Sequence, residues 1–235
     1  MQDKRTSLPA RHELKYFINP AELDALRARL RPVMQLDPHC KGGKPYVIRS
    51  LYFDDVDDSA YYDKQAGVMH RDKYRIRIYR YSDKEIFLER KRKLGDLIQK
   101  SSTRISRKLC DQLVRGSCNK LDLVDNALLN DLFREMRVSL LRPKVIVDYT
   151  RETFIHPVEN VRVTLDKNLR TGLLSRNLFS PDVMTVSPLD DGREILEVKY
   201  DSYLPDFISA MLWDVPAERS AISKYVLCRR FEPLG

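Results

Sequence analysis

Lys73-Tyr74-Arg75-Ile76-Arg77-Ile78-Tyr79, and then Phe87-Leu88-Glu89-Arg90-Lys91-Arg92-Lys93, decide how this chain is read. Both stretches alternate with period two, so each predicts a β-strand whose every second side chain points the same way. Arg75 and Arg77 then share one face, and Glu89, Lys91 and Lys93 share another. A half-buried strand normally buries its apolar set and gives its charges to water. Here the charged sets recur on strand after strand, which predicts a sheet closed around a charged, water-filled lumen.

The signature returns along the chain. Arg11, Glu13 and Lys15 alternate with His12 and Leu14. The β-branched run from Val145 delivers Arg151 at its end. Arg162, Thr164 and Asp166 alternate with Val161, Val163 and Leu165, and Glu197 and Lys199 with Leu196 and Val198. If the apolar sides face helices, the charged sides must face each other, because isolated charges in an apolar core are prohibitively costly.

The composition sets bounds. At 235 residues the chain is long enough for one sizeable domain over 1–235 with no dividing linker. No stretch approaches the 18 apolar residues of a membrane span, and the start, Met-Gln-Asp-Lys-Arg, has no apolar leader core. A cytoplasmic location without a membrane span is expected. Cys40, Cys110, Cys118 and Cys228 show no CxxC pairing and read as structural thiols. A formal net charge of +8 and a pI near 9.3 point to an anionic partner: nucleic acid, lipid headgroup, nucleotide or polyphosphate.

Coarse elements follow from periodicity and capping. A strand over about 10–18 runs into Asn19-Pro20-Ala21-Glu22, which caps a helix with a Leu23, Leu26, Leu30 stripe. Strands are expected near 46–53, 70–81, 84–94 and 98–105, with a hairpin turn at Ser82-Asp83. Helices are expected over 106–114 and 124–138, then strands near 144–155, 160–166 and 193–200. A last amphipathic helix is expected around Phe207 and Met211, followed by a basic tail from Ser223-Lys224-Tyr225.

The residue types narrow the chemistry. There is no GxGxxG, no GxxxxGK[ST] and no HExxH, and four scattered histidines suggest no triad. Arg75 and Arg77 alone would read as a solvated edge strand. With Lys15, Lys91, Arg151, Arg162 and Lys199 at equivalent alternating positions, a phosphate chain is the better single explanation, since guanidinium forks match phosphate oxygens. Glu13, Glu89 and Glu197 lie on the same faces, where they either bridge the cations or hold Mg²⁺ or Mn²⁺ against phosphate; Glu197 is the first choice as ligand. Tyr74, Tyr79 and Tyr81 interleave with arginines as on a nucleic-acid platform, but the carboxylates oppose a sugar-phosphate backbone. No nucleic-acid partner is expected.

The motifs RxExKY (Arg11 to Tyr16), SLYFD (Ser50 to Asp54), KYRIRIY, ERK (Glu89 to Lys91), YTR (Tyr149 to Arg151), VRVTLD (Val161 to Asp166), LEVK (Leu196 to Lys199) and SKY (Ser223 to Tyr225) together resemble the VTC domain. This is the polyphosphate polymerase domain of the vacuolar transporter chaperone family, within the triphosphate tunnel metalloenzymes that also include CYTH proteins. The resemblance implies an α+β fold: an antiparallel β-barrel tunnel with surrounding helices. It implies that Lys15, Arg75, Arg77, Lys91, Arg151, Arg162, Lys224 and, on a looser match, Lys100 contact phosphate, that Glu197 holds the metal, and that Lys199 lines the wall. Arg11 stands where CYTH proteins carry the first glutamate of ExExK, which favours the polymerase branch. The expected activity is metal-dependent transfer of the ATP γ-phosphoryl group to inorganic polyphosphate, releasing ADP. Hydrolysis of tripolyphosphate or nucleoside triphosphate, or polyphosphate binding without catalysis, are the alternatives.

Overall fold

The computed structural model describes residues 12–95, 97–117, 125–189, 192–213 and 218–232. Arg11 and Cys118 lie outside the described residues. In chain order the elements are β1 (His12–Ile18), α1 (Pro20–Leu30), β2 (Gln35–Leu36), β3 (Tyr46–Asp54), α2 (Ser59–Gln65), β4 (His70–Tyr79), β5 (Ser82–Leu94) and β6 (Leu97–Arg104). Next come α3 (Arg107–Val114), α4 (Ala127–Val138), β7 (Arg142–His156), β8 (Val161–Thr171), β9 (Glu194–Tyr200), α5 (Asp206–Trp213), β10 (Glu218–Arg219) and α6 (Lys224–Arg229). The fold is α+β, and its strand ladders are antiparallel. Among the described residues no helix is long and apolar enough to cross a membrane.

The chain divides into two compact units: Met1–Tyr46, Thr150–Asn168 and Leu189–Ile222 form the first, and Val47–Tyr149, Leu169–Pro188 and Ser223–Gly235 the second. In the first unit the strands lie in the order β10-β1-β9-β8-β7, with β2 also on β7. The Asn19 side chain accepts from the Glu22 N–H, and Glu22 accepts from the Asn19 N–H, both at 2.9 Å, so α1 starts where the capping box puts it. Its buried Leu23, Leu26 and Leu30 pack with Val163, Leu165, Leu196, Val198 and Ile208 of α5. Each such side chain taken from water is worth roughly 1.5–3 kcal/mol. That burial fixes which face of β8 and β9 is apolar. It leaves Arg162, Thr164, Glu197 and Lys199 on the other.

In the second unit the order is β7-β3-β4-β5-β6. Leu51, Phe53, Tyr74, Ile76, Ile78, Ile86 and Leu88 point to one side and pack with Leu113 of α3 and Leu132, Phe133 and Met136 of α4. By alternation Ser50, Tyr52, Lys73, Arg75, Arg77, Glu89 and Lys91 take the other side. The β4–β5 turn is Arg80-Tyr81, not the expected Ser82-Asp83. Both residues have positive φ, +52° and +57°, as a two-residue hairpin loop requires. Tyr81 is held by the Arg49 guanidinium 4.4 Å from its ring centroid, a tertiary contact that turn composition does not reveal.

The expected basic tail is a helix, α6, capped by the Ser223 hydroxyl at the Val226 N–H. The run Asp54-Asp55-Val56-Asp57-Asp58 anchors it. Asp54 accepts from the Ala60 and Tyr61 N–H groups at 2.9 and 3.1 Å and from the Tyr225 hydroxyl, while both Asp58 carboxylate oxygens accept from Arg229 Nη2, at 2.7 and 2.8 Å, and one of them also from Nε at 3.2 Å. Cys40, Cys110 and Cys228 are buried free thiols, and burial pushes Cys110 up to about 12.

Candidate functional site

In the first unit the β1–β9 register sets Glu13 opposite Lys199 and Lys15 opposite Glu197. These four side chains form an alternating quartet. Lys15 Nζ lies 3.3 Å from Glu13 and 3.7 Å from Glu197, and Lys199 Nζ lies 3.6 Å from Glu13 and closer still to Glu197. Glu197 is only 5% exposed, so its charge depends on these partners. On β8 Arg162 is opposite Lys199, and Thr164 opposite Glu197. Each arginine here has a carboxylate that the sequence reading did not assign: Arg162 binds Asp37 at 2.7 Å, and Arg151 makes a bidentate pair with Asp166 at 2.6 and 2.7 Å. Asp37 also accepts from the His39 backbone N–H at 2.9 Å and lies 2.7 Å from its ring Nδ1.

The second unit is built differently. Arg75 holds Glu89 through Nε at 2.7 Å and Nη2 at 2.5 Å, Arg77 Nη1 lies 3.7 Å from the same oxygen, and Lys100 Nζ lies 3.1 Å from the other. Burial alone would raise the Glu89 pKa, but the charges of Arg75, Arg77 and Lys100 outweigh it and hold the group at about 2. Hydroxyls orient the guanidiniums: Tyr52 accepts from Arg75 at 2.7 Å, and Tyr149 and Ser50 accept from Arg77 at 3.1 and 3.4 Å. Lys224 stands over the Tyr149 ring at 5.0 Å, which brings the SKY and YTR motifs together. The strand register also places Lys73, Lys91 and Lys100 directly opposite one another on β4, β5 and β6. Like charges in such a row repel.

Arg90 and Arg92 face away, as alternation requires. Arg90 binds Asp131 of α4 at 2.5 Å, and Arg92 binds Asp72 with two prongs at 2.8 and 2.6 Å. Tyr74 is buried in the core, which removes it from any base-stacking platform, and Tyr81 lies against Arg49. The sequence reading missed Lys73, although it opens the decisive motif and falls two residues before Arg75. Period two alone could have included it.

A divalent metal needs hard oxygen donors. Among the described residues no three Asp, Glu, His or Cys side chains converge as a cage. Glu13 and Glu197 nevertheless share two lysines, and two carboxylates completed by substrate phosphates are a usual Mg²⁺ donor set, so the residues fit such an ion. Glu89, already covered by three cations, fits the role of countercharge.

The model of the VTC domain matches residues 10–231. The chain belongs to the VTC domain family. No match is found among curated proteins. Among solved structures the VTC chain is similar to a candidate adenylate cyclase from Bacillus halodurans, with 12% identity and a TM-score of 0.49 over 88% of this chain and 87% of that one. It is also similar to a conserved hypothetical protein from Pyrococcus furiosus, with 12% identity and a TM-score of 0.42 over 87% and 86%.

Proposed function

We propose that this VTC-family protein, acting as one functional domain, is a metal-dependent polyphosphate polymerase that moves the γ-phosphoryl group of ATP onto inorganic polyphosphate and releases ADP. The observation that carries the reading is the charge imbalance of the second unit, where one buried carboxylate serves Arg75, Arg77 and Lys100 beside a cross-strand row of lysines. Such a face gains from a polyanion what it lacks in countercharge. Arg75 and Arg77 clamp non-transferred phosphates through their forks, and Lys91, Lys100 and Lys224 add point charges.

In the first unit Lys15, Arg151, Arg162 and Lys199 are the phosphate contacts. Glu197, with Glu13, would hold Mg²⁺ or Mn²⁺, which supplies charge neutralisation at phosphate oxygens when bound. Phosphoryl transfer asks for alignment and neutralised charge rather than covalent help. The acceptor is itself an ionised phosphate, so no general base is required.

The test is incubation of the purified protein with ATP and Mn²⁺, with products separated by phosphate chain length. Chains that lengthen with time support the polymerase. Free phosphate without longer chains would replace it with a hydrolase, and tripolyphosphate binding without turnover with a binding module.

A further inference from the structure

Lys73 differs from Arg75, Arg77 and Lys100 on the charged face of the second unit. Arg75, Arg77 and Lys100 share Glu89, but among the described residues the Lys73 ammonium makes no hydrogen bond or ion pair. It rests instead 4.5 Å from the centroid of the Tyr225 ring. The carboxylate that acts on it through space, Asp54, is already engaged by the Ala60, Tyr61 and Tyr225 donors. Lys91 stands directly across on β5, and Lys100 directly beyond it on β6. A half-buried lysine that makes no ion pair among the described residues, aligned with two more lysines, is a poor arrangement for the empty protein. It is a good one for a bound anion.

We propose that Lys73 is a further phosphate-binding residue of this face, and that it makes polyphosphate binding respond to pH near neutrality. The inference rests on reading the face as a phosphate site. The groups that bear on Lys73 are Asp54 at the end of β3, Arg71 on its own strand, Lys91 on β5, Lys64 of α2 and the Tyr225 ring of α6. Burial lowers its pKa to about 7, with Arg71, Lys64 and Lys91 adding to the fall and only Asp54 opposing it. The ammonium is therefore present below about pH 7 and is lost as the pH rises through that value. A polyanion favours the charged form, so binding above that pH draws a proton onto the Nζ. Affinity from this residue falls as the pH rises.

The experiment is calorimetric titration of tripolyphosphate between pH 6 and 8.5, in pairs of buffers with different ionisation enthalpies, on wild type, Lys73→Gln, Lys73→Arg and Arg77→Ala, each checked by thermal melting. Lys73→Gln should weaken binding about tenfold at pH 6 and little at pH 8.5, the loss expected for one charge-assisted contact. Lys73→Arg, which keeps its charge throughout, should bind with a flatter pH profile and without the proton uptake seen in wild type at pH 7.5. Titration of the ligand's own terminal phosphates is common to all four proteins and cancels in the differences. An unchanged affinity at pH 6 in Lys73→Gln, or a wild-type pH slope in Lys73→Arg, overturns the proposal while a loss in Arg77→Ala keeps the phosphate site. Unchanged binding in Arg77→Ala overturns both.

Discussion

The two units carry the same strand alternation to opposite electrostatic results. In the first, charges pair evenly: Glu13 and Glu197 with Lys15 and Lys199, Arg151 with Asp166, and Arg162 with Asp37. In the second, among the described residues, Glu89 answers Arg75, Arg77 and Lys100 together, and Lys73 makes no ion pair. An evenly paired face has no charge left for an anion until something takes its carboxylates. A divalent ion on Glu13 and Glu197 would do that, and would free Lys15 and Lys199 for phosphate. The cation-rich face needs no such trigger. Metal dependence is thus expected of the first unit, and metal-free phosphate affinity of the second.

The sharpest way to break this contrast is Glu197→Gln. Metal-dependent turnover should fall by more than about 100-fold, beyond the usual cost of losing an outer-shell partner. Tripolyphosphate binding without metal should persist or improve, because the change removes a repelling charge. Turnover near the wild-type rate in folded protein would move the metal to Glu13 or Glu89.

Glu89→Gln should act on stability instead. Its pKa is depressed from 4.5 to about 2, so the folded state gains stability above pH 4.5 and loses it as the pH falls toward 2. The shift corresponds to about 3 kcal/mol. Melting curves should show a loss of that order near neutral pH and a flatter acid limb. A variant whose stability and acid sensitivity match wild type would end the countercharge assignment. One that instead loses metal-dependent turnover as Glu197→Gln does would reverse the roles of the two units.

Next in size, Arg75→Ala or Arg77→Ala should weaken tripolyphosphate binding more than about tenfold, from the loss of a charge-assisted contact. Arg92→Ala should leave affinity alone, and Arg90→Ala should lower the melting temperature without changing affinity in the folded protein. Equal affinity losses at all four positions, measured by titration calorimetry, would mean that net charge and not facing decides binding. The smallest effect is expected of Lys224→Ala, about threefold in the same titration, since this lysine works as a point charge steadied by the Tyr149 ring. A loss as large as that of Arg77→Ala would make α6 a principal part of the phosphate site.

Much of this was legible along the chain because strands and helices are local periodicities. The alternation in 73–79 and 87–93 separated Arg75 and Arg77 from Ile76 and Ile78, and Glu89 and Lys91 from Arg90 and Arg92. The Asn19 and Glu22 capping box placed α1 to the residue. Motif order carried the family, whose model spans 10–231. What failed locally did so where local signals are ambiguous: Arg80-Tyr81 has no turn composition, and α6, at 6 residues, is too short to show a helical period.

The sequence by itself determined which side chains share a face, because the pleat of one strand is set within that strand. Tertiary structure decided which carboxylate meets which cation. Arg162 finds Asp37 across 125 positions of chain, Arg49 is buried against Asp148 at 2.6 and 2.7 Å, and Tyr225 reaches Asp54. These pairings depend on strand register and on the docking of α6, and Coulomb energies depend on distances of a few ångströms that no spacing along the chain encodes. Whether a charged face is evenly paired or left in want of an anion is therefore a property of the fold. Alternation alone would have made the two units equivalent.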